Sequence, residues 1–204
     1  MKIGVYVGSF NPIHKGHIKV TNYLIENKYV DKVVIIPTGA YWDKQNLIAL
    51  SDRINMAKFY ENENIFVNDT LNHLPYTYQV LNELKKIYPN DELHLIIGDD
   101  NLEKFHLWKN VSQILQNKVL VIPRNNIDFN KYINKFEQKE SFIVTKEFPL
   151  ENISSTIIRK LIETKMYESV LLYMDKEVLN YIIENNLYNS KIEFPNKRLI
   201  LEKK

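Results

Sequence analysis

The stretch from Gly8 to His17 reads GSFNPIHKGH and directly follows a short apolar run. His14 and His17 lie three residues apart, so they share one face of a helix that opens here. Helix amino termini bind anions through free backbone N–H groups and the helix dipole, and imidazole N–H groups add further donors. A turn that only reverses the chain needs glycine or asparagine and no imidazole. The pattern therefore predicts a phosphate site with His14 and His17 as its donors.

A second stretch with the chemistry of phosphate binding is ISSTIIR, which ends at Arg159. Ser154 is suited to cap a helix whose first turn offers the hydroxyl groups of Ser155 and Thr156. Arg159 follows one turn later, and its planar guanidinium suits phosphate oxygens. A plain helix cap would explain Ser-Ser-Thr by itself. The phosphate interpretation therefore depends on this stretch occurring together with GSFNPIHKGH.

Other kinds of site find little support in the residues. The chain contains neither a Walker loop nor a GxGxxG fingerprint. Its lack of cysteine excludes disulfides, thiolate metal sites and cysteine nucleophiles. Two histidines without a clear third ligand do not make a zinc site, so we expect no protein-bound metal. We also find no convincing pair of catalytic carboxylates.

The elements that must position these residues follow from the apolar pattern. Val, Ile and Leu dominate most of the apolar runs without clean alternation, as in parallel strands covered on both faces. Helical patterns lie between the runs, which predicts an α/β, Rossmann-like doubly wound parallel sheet of about five strands. Ligands of such sheets bind beyond the carboxyl ends of the strands. The predicted strands are Ile3–Val7, Lys32–Pro37, Glu92–Ile97, Lys118–Pro123 and Ser141–Val144.

One domain accounts for most of the chain. We predict a single domain over residues 1–187, in which 154–187 form a helical C-terminal part, and a polar, basic tail over 188–204. The 27 basic residues nearly match the 25 acidic ones, which argues against a nucleic-acid partner. No apolar stretch approaches the ~20 residues that span a bilayer. We expect a cytoplasmic protein without a membrane partner, and the sequence leaves a homo-oligomer open.

GSFNPIHKGH resembles the signature of the nucleotidylyltransferase superfamily, whose HxGH histidines contact the phosphates of ATP, and ISSTIIR matches that superfamily's second signature. The resemblance runs from Lys2 to about Leu187. It implies that the two histidines are catalytic and that Mg²⁺ is carried by ATP. The implied ATP-binding residues are Gly8, Ser9, Phe10, His14, His17, Lys44, Gly98, Asp100, Pro123, Arg124, Ser155, Thr156 and Arg159.

The middle of the chain resembles the nicotinate/nicotinamide mononucleotide adenylyltransferases in the stretches PYTY and LIIGDDNLEKFHLWKN. The resemblance implies that Thr77 meets the pyridine substituent and that Trp108 stacks on the pyridine ring. An electron-rich indole face suits an electron-poor pyridinium. The implied reaction is adenylyl transfer from ATP to nicotinate mononucleotide, with nicotinamide mononucleotide left open as a substrate. The implied pyridine-nucleotide-binding residues are Ser9, Thr77, Tyr78, Asp100 and Trp108.

Two positions depart from the family pattern. Many bacterial members carry a PPHK loop after the second strand, whereas residues 37–44 read PTGAYWDK, which is similar to members that accept nicotinamide mononucleotide. Lys44 still falls where it could reach the triphosphate, and Arg53 follows on the next helix. Position 11 is Asn where many members have Asp.

Four alternative functions were weighed. A pantetheine-phosphate adenylyltransferase shares both phosphate motifs but lacks the set of pyridine-site residues, which also counts against a cytidylyltransferase. A class I aminoacyl-tRNA synthetase needs a longer chain and a KMSK-like loop. A non-catalytic nucleotide sensor of the same fold predicts the loss of a phosphate-contacting residue, and none is lost.

Overall fold

The computed structural model describes residues 1–39, 47–125, 127–146 and 153–189. Six parallel strands form one sheet in the order β3-β2-β1-β4-β5-β6. The strand order reverses between β1 and β4, which is the topology of a Rossmann-like doubly wound sheet. The predicted fold class is confirmed. The strands are β1 (Lys2–Gly8), β2 (Lys32–Pro37), β3 (Ile65–Val67), β4 (Glu92–Gly98), β5 (Lys118–Ile122) and β6 (Phe142–Val144).

The predicted number of about five strands is wrong, because the sequence analysis missed β3. This strand has three residues and pairs with β2, starting at Val33 and Ile65. Its central side chain, Phe66, is 40% exposed at the sheet edge, where the Lys32 ammonium lies 5.2 Å from the ring centroid. An edge strand this short has only one fully buried side chain. Its apolar run, IFV, is only three residues long and lies between two asparagines, so the pattern does not separate it from a loop.

Nine α-helices accompany the sheet in the described part of the chain, and the C-terminal helical part expected from the sequence is present. The helix over Thr77–Ile87 ends before Tyr88 and Pro89, because proline cannot continue a helix. None of the described helices is long and apolar enough to cross a membrane. The helices are α1 (Lys15–Glu26), α2 (Leu50–Lys58), α3 (Thr77–Ile87), α4 (Asp99–Leu102), α5 (Val111–Ile114), α6 (Phe129–Ile133), α7 (Ser155–Glu163), α8 (Tyr167–Tyr173) and α9 (Lys176–Glu184).

The sheet is buried on both faces, as its uninterrupted apolar strands predict. In β2, Val33 and Ile35 face a core that also contains residues of α1, α2 and α7–α9. Val34 and Ile36 face the opposite core, to which α3, α4 and α5 contribute. Successive strand residues thus point to opposite sides. Two helical layers hold the sheet rigidly, and the loops after the strands are positioned by it.

A buried histidine lies near the amino end of β4, away from the carboxyl edge of the sheet. His94 is 3% exposed and its Nε2 atom lies 3.4 Å from a carboxylate oxygen of Glu92. Its Nδ1 atom has no hydrogen-bond partner among the described residues. Burial lowers the pKa of His94, the neighbouring Glu92 opposes this shift, and Lys2 and Lys118 add to it. The ring is therefore neutral in the folded protein at pH 7.

Candidate active site

The turn after β1 is held in a conformation that costs energy. Phe10 has a φ of 45°, in the left-handed region that bulky residues avoid. Its ring is buried and packs edge-on against Tyr6, at 5.3 Å between centroids, and against His17, at 5.0 Å. Because residue 8 is glycine, there is room for this ring; a Cβ at that position would lie only 3.2 Å from it. Packing thus fixes the turn before any ligand binds.

His14 and His17 form the amino-terminal cap of α1 and orient each other. The Nδ1 atom of His14 accepts the N–H of Gly16 at 3.1 Å, and the Nδ1 atom of His17 accepts the N–H of His14 at 3.2 Å. The ring centroids lie 3.8 Å apart. Because each Nδ1 atom is an acceptor, each neutral ring carries its proton on Nε2. Two imidazole N–H donors therefore stand side by side at a helix amino terminus.

Both imidazoles are uncharged near neutral pH. Burial and, to a smaller extent, the charge of the Arg124 guanidinium together lower the pKa of His14 to about 3. Burial also lowers the pKa of His17 well below its usual value, with additional contributions from His14 and Arg124. The Coulomb effect on both rings places the charge of Arg124 near them. The arrangement is suited to hold a polyanion with two neutral donors and one permanent cation.

The free energy of unfolding is expected to fall as the pH drops below 6.5. The pKa values of His14, His17 and His94 are lowered in the folded protein from the usual value of 6.5. Between the folded and unfolded pKa values the unfolded chain binds more protons, so acid favours unfolding, by up to about 1.4 kcal/mol per pH unit for each group. Urea unfolding followed at several pH values between roughly 7.5 and 5.5 measures this slope.

His94→Leu supplies the internal comparison for that slope. The substitution removes one of the three titrating rings at a position remote from the histidine pair, so it should flatten the dependence of unfolding free energy on pH. An unchanged slope in this variant would contradict the origin proposed for it in buried neutral histidines.

Asp99 fixes the residues that follow β5. Its carboxylate is fully buried, and Oδ2 accepts the backbone N–H groups of Arg124 at 2.8 Å and Asn125 at 2.6 Å. Oδ1 accepts the side-chain amide of Asn125 at 2.9 Å. The carboxylate thereby joins the end of β4 to the end of β5 and holds the backbone that carries Arg124. Of the two acidic residues in the GDD stretch, only Asp100 was predicted as a site residue, and the buried anchor is Asp99.

The Arg124 guanidinium lies over the end of β4. Its Nε atom would be 3.5 Å from a Cβ on Gly98, and the same Cβ would collide with the Asp100 carboxylate. A larger residue at position 98 would therefore have to displace the exposed Asp100 side chain. Burial raises the pKa of the Tyr6 hydroxyl, while the charge of Arg124 and a hydrogen bond to its guanidinium oppose this shift. Arg124 thus stands between Tyr6, the end of β4 and the histidine pair.

The second phosphate motif meets the first at the start of α7. The Ser154 hydroxyl caps the helix by accepting the N–H of Ile157 at 3.2 Å. The Ser155 hydroxyl donates to the carbonyl of Pro12 at 2.9 Å across 143 residues of sequence. The guanidinium of Arg159 donates to the carbonyl of Asn11 at 2.8 Å. The structure therefore brings together the two stretches in which the sequence analysis placed phosphate binding.

A cavity of about 570 Å³ opens beside this cluster, at the carboxyl edge of the sheet. Gly8 and Thr38 line it from the ends of β1 and β2. Thr77 lines it from the first turn of α3, and Trp108 lines it from the segment after β4. The indole of Trp108 is backed by the buried ring of Phe105, at 5.0 Å between centroids. The lining of the cavity thus includes both a supported aromatic ring and a helix amino terminus.

The predicted site residues fall into three groups in the structure. Most of those assigned to ATP surround the ends of β1, β4 and β5 or the start of α7. Of those assigned to the pyridine nucleotide, Thr77 and Trp108 line the cavity, whereas Ser9, Tyr78 and Asp100 lie outside its lining as formed by the described residues. Tyr78 instead stacks on Tyr76, at 5.9 Å between centroids. Lys44 lies outside the described residues.

Arg53 contributes to the site from within the core. Its side chain is 1% exposed, and its Nη1 atom donates to the carbonyls of Ser9 at 2.6 Å and Thr38 at 2.7 Å. Its Nε atom donates to the carbonyl of Ile48 at 3.3 Å. The guanidinium therefore ties together the backbone that follows β1 and β2, which forms one wall of the cavity. No sequence pattern distinguished it from a surface cation of α2.

The fold and this site define a nucleotide-binding α/β protein of the HxGH type. Residues 5–161 match the family described as cytidylyltransferase-like. A probable nicotinate-nucleotide adenylyltransferase of Flavobacterium psychrophilum is 36% identical over 198 residues, which cover 92% of this chain and 99% of that protein. The corresponding protein of Fusobacterium nucleatum is 35% identical over 190 residues, covering 89% and 97%.

A solved structure shares the architecture. Nicotinic acid mononucleotide adenylyltransferase of Plasmodium falciparum, complexed with NaAD, superposes with a TM-score of 0.77 at 22% identity, covering 94% of this chain and 99% of that one. The chain belongs to the cytidylyltransferase-like family, and within it to the nicotinate-nucleotide adenylyltransferases. The predicted family and its enzymatic class, nucleotidyltransferase, are confirmed.

Proposed function

We propose that this enzyme transfers the adenylyl group of ATP to nicotinate mononucleotide, forming the dinucleotide and pyrophosphate in NAD biosynthesis. The observation that carries the proposal is the junction at Gly8, which lines the cavity and also contacts the turn that leads to His14. A pyridine nucleotide in the cavity would then direct its phosphate toward the histidine pair. Relatives with that activity match nearly the whole chain.

The chemistry requires alignment and charge stabilisation from the protein. The attacking phosphate is ionised at neutral pH, so the reaction needs no general base. Negative charge grows on the departing pyrophosphate, and preorganised N–H donors and cations lower the energy of that state. We assign this role to the Nε2 donors of His14 and His17, with Arg124 and Arg159 as cations. Pro123, Ser155 and Thr156 complete the proposed ATP site, with Lys44 as a further candidate.

The cavity favours a pyridine with a negative substituent. The amino terminus of α3 lines it through Tyr76 and Thr77, and this end of a helix attracts anions. Lys109 also lines the cavity, and its lining contains no carboxylate side chain among the described residues. We therefore propose nicotinate mononucleotide as the preferred substrate over nicotinamide mononucleotide. Trp108 is the proposed stacking partner of the ring.

Mg²⁺ is proposed to arrive with ATP. In the part of the chain that the structure describes, no group of three or more His, Asp or Glu side chains could hold a metal ion. Magnesium bound through substrate phosphates and water needs few protein ligands. We also propose a cytoplasmic location and one catalytic domain over residues 1–187. Residues 190–204 of the predicted tail lie outside the described residues.

Parallel assays with three candidate substrates test the proposed function. Pyrophosphate release should be measured with Mg·ATP and, in parallel, nicotinate mononucleotide, nicotinamide mononucleotide or phosphopantetheine. We expect kcat/KM for nicotinate mononucleotide to exceed that for the amide by about tenfold or more, because only the acid gains from the helix terminus. A preference for the amide would contradict the role given to α3. Release with phosphopantetheine alone would overturn the pyridine site. ATP binding without turnover would favour the nucleotide sensor.

A further inference from the structure

The last described turn of the chain reaches back to the first phosphate motif. Leu187–Asn189 form a 3₁₀ turn after α9, and the hydroxyl of Tyr188 donates to the side-chain oxygen of Asn11 at 2.8 Å. The two residues are 177 positions apart in the sequence. The backbone of Tyr188 has a φ of 53°, in the left-handed region, and its ring packs against the core that contains α7–α9. Packing and a hydrogen bond therefore hold an uncommon backbone conformation.

Asn11 is the junction between three parts of the site. Its side chain is 5% exposed, and besides Tyr188 its Oδ1 atom faces the N–H of Ile48 at 3.4 Å. Its backbone carbonyl accepts the guanidinium of Arg159, whose other amino group lies 3.3 Å from the hydroxyl of Thr156. The orientation of Asn11 therefore affects the side chains of the second phosphate motif. The hydroxyl of Tyr188 donates a hydrogen bond that can fix the orientation of the Asn11 side chain.

The electrostatic surroundings keep Tyr188 in the donor state. Burial raises the pKa of its hydroxyl, the charges of Arg159 and Arg53 oppose this shift, and the charge of Asp52 adds to it. The hydroxyl therefore remains protonated near neutral pH and can donate only while it holds its proton. The hydroxyl thus lies near Arg53 and Arg159. The guanidinium groups of these two residues bind backbone carbonyls of the first turn.

We propose that the Tyr188 hydroxyl is a positioning group for adenylyl transfer, which orients Asn11 and through it the Arg159 guanidinium for the triphosphate. This inference rests on the proposed function, since it assigns a role within that reaction. It adds to the ATP site a residue that lies one position beyond the domain proposed for residues 1–187 and outside the sequence motifs. Tyr188 itself touches neither the cavity nor the histidine pair in the contacts described above, so its effect is indirect.

Tyr188→Phe tests the proposal because it removes the hydroxyl and keeps the ring. We expect the KM for ATP to rise about tenfold and the KM for nicotinate mononucleotide to stay within about twofold, because the affected contacts lie on the triphosphate side. A matched control is Tyr181→Phe. Tyr181 lies on α9, the helix that precedes the turn of Tyr188, and its hydroxyl donates to Asp52 of α2 at 2.7 Å. This control should leave both KM values unchanged.

Loss of stability alone gives a different result. If Tyr188 were only structural, the variant would lower kcat through a smaller folded fraction and leave both KM values as in the wild type, and this outcome would overturn the proposal. The wild type must turn over nicotinate mononucleotide for any comparison. A silent wild type would refute the proposed function, whereas an active wild type with an unchanged KM for ATP in Tyr188→Phe would refute only the positioning role.

A double-mutant cycle tests the same hydrogen bond by changing Asn11 as well as Tyr188. Asn11→Ala should also raise the KM for ATP, and combining it with Tyr188→Phe should add little, because both changes break one interaction. Multiplicative effects would contradict the assigned contact. Should Tyr188→Phe fail to fold, Asn11→Ala alone decides the matter: a wild-type KM for ATP in that variant would overturn the proposal. Asn11→Asp keeps an acceptor for the hydroxyl and should retain the wild-type KM.

Discussion

His17→Ala is expected to lower kcat by roughly 10²–10³-fold, because it deletes a fixed N–H donor from the place where the proposed reaction develops charge on the leaving group. The imidazole of His17 is held from three sides, by the N–H of His14 at its Nδ1 atom and by the rings of Phe10 and Tyr6. This support leaves the Nε2 donor little freedom before ATP binds. The alanine side chain has no N–H donor and makes none of the contacts that hold the imidazole.

The same substitution also removes the cap contact at the start of α1, so stability and catalysis must be separated. His17→Asn keeps a polar group close to the position of Nδ1 and should recover most of the ~1 kcal/mol that loss of a helix cap costs. Its shorter side chain cannot reach as far as Nε2, and kcat should remain low. The measurement is steady-state pyrophosphate release with a urea unfolding curve for each variant.

His73→Ala serves as the matched control for histidine loss. His73 is exposed, its Nδ1 atom lies 2.8 Å from the carbonyl of Thr70, and it belongs neither to the two sequence motifs nor to the described lining of the cavity. This variant should keep the wild-type kcat. A wild-type kcat in His17→Ala, in protein that unfolds cooperatively, would mean that the donor of the leaving-group site is a different residue.

The sequence predicted those parts of the fold that depend on local pattern. Strands β1, β2, β4 and β5 were found because both of their faces are buried, so their residues form unbroken apolar runs. The edge strand Ile65–Val67 was missed because Phe66 faces solvent and only three residues pair with the sheet. An apolar run of three residues is too short to distinguish a strand from a loop by its own sequence.

The candidate site divides in the same way. His14, His17 and Arg159 could be named because the spacing within their motifs carries the chemistry. Asp99 could not be separated from Asp100, since only the fold buries the first beneath Arg124 and exposes the second. The roles of such residues depend on partners that lie far away in the sequence. Two adjacent carboxylates thus have opposite surroundings that no local pattern encodes.

Tyr188 and Arg53 extend this point to residues outside the motifs. Tyr188 falls in what composition marked as a polar tail, yet its hydroxyl reaches Asn11 across almost the whole chain. Arg53 lies on a helix with the charge pattern of a solvated surface, yet it is buried beneath the ends of two strands. Both side chains act on the backbone around the first phosphate motif. The turns of the proposed phosphate site are thus held by buried or half-buried side chains that lie outside the two sequence motifs.

Arg53→Met is expected to destabilise the protein by about 3–5 kcal/mol, because three hydrogen bonds from a buried charged donor are lost at ~1–3 kcal/mol each. Methionine fills a similar volume, but it leaves the carbonyls of Ser9, Thr38 and Ile48 without the donors that the guanidinium supplies. Buried acceptors that lose their partners carry a desolvation cost. Thermal unfolding should shift downward by roughly 10 °C for a chain of this size.

The control for Arg53→Met lies one turn and a half further along α2. Lys58→Met also removes a cation from that helix, but Lys58 forms an exposed ion pair with Asp69 at 2.7 Å, and such pairs contribute at most about 1 kcal/mol. Its unfolding temperature should stay within about 3 °C of the wild type. Equal shifts in the two variants would show that net charge, rather than the bonds to the turn, explains the loss. A large shift confined to Arg53→Met, with a raised KM for both substrates, would mean that this buried guanidinium holds the walls of the cavity and of the phosphate site in register.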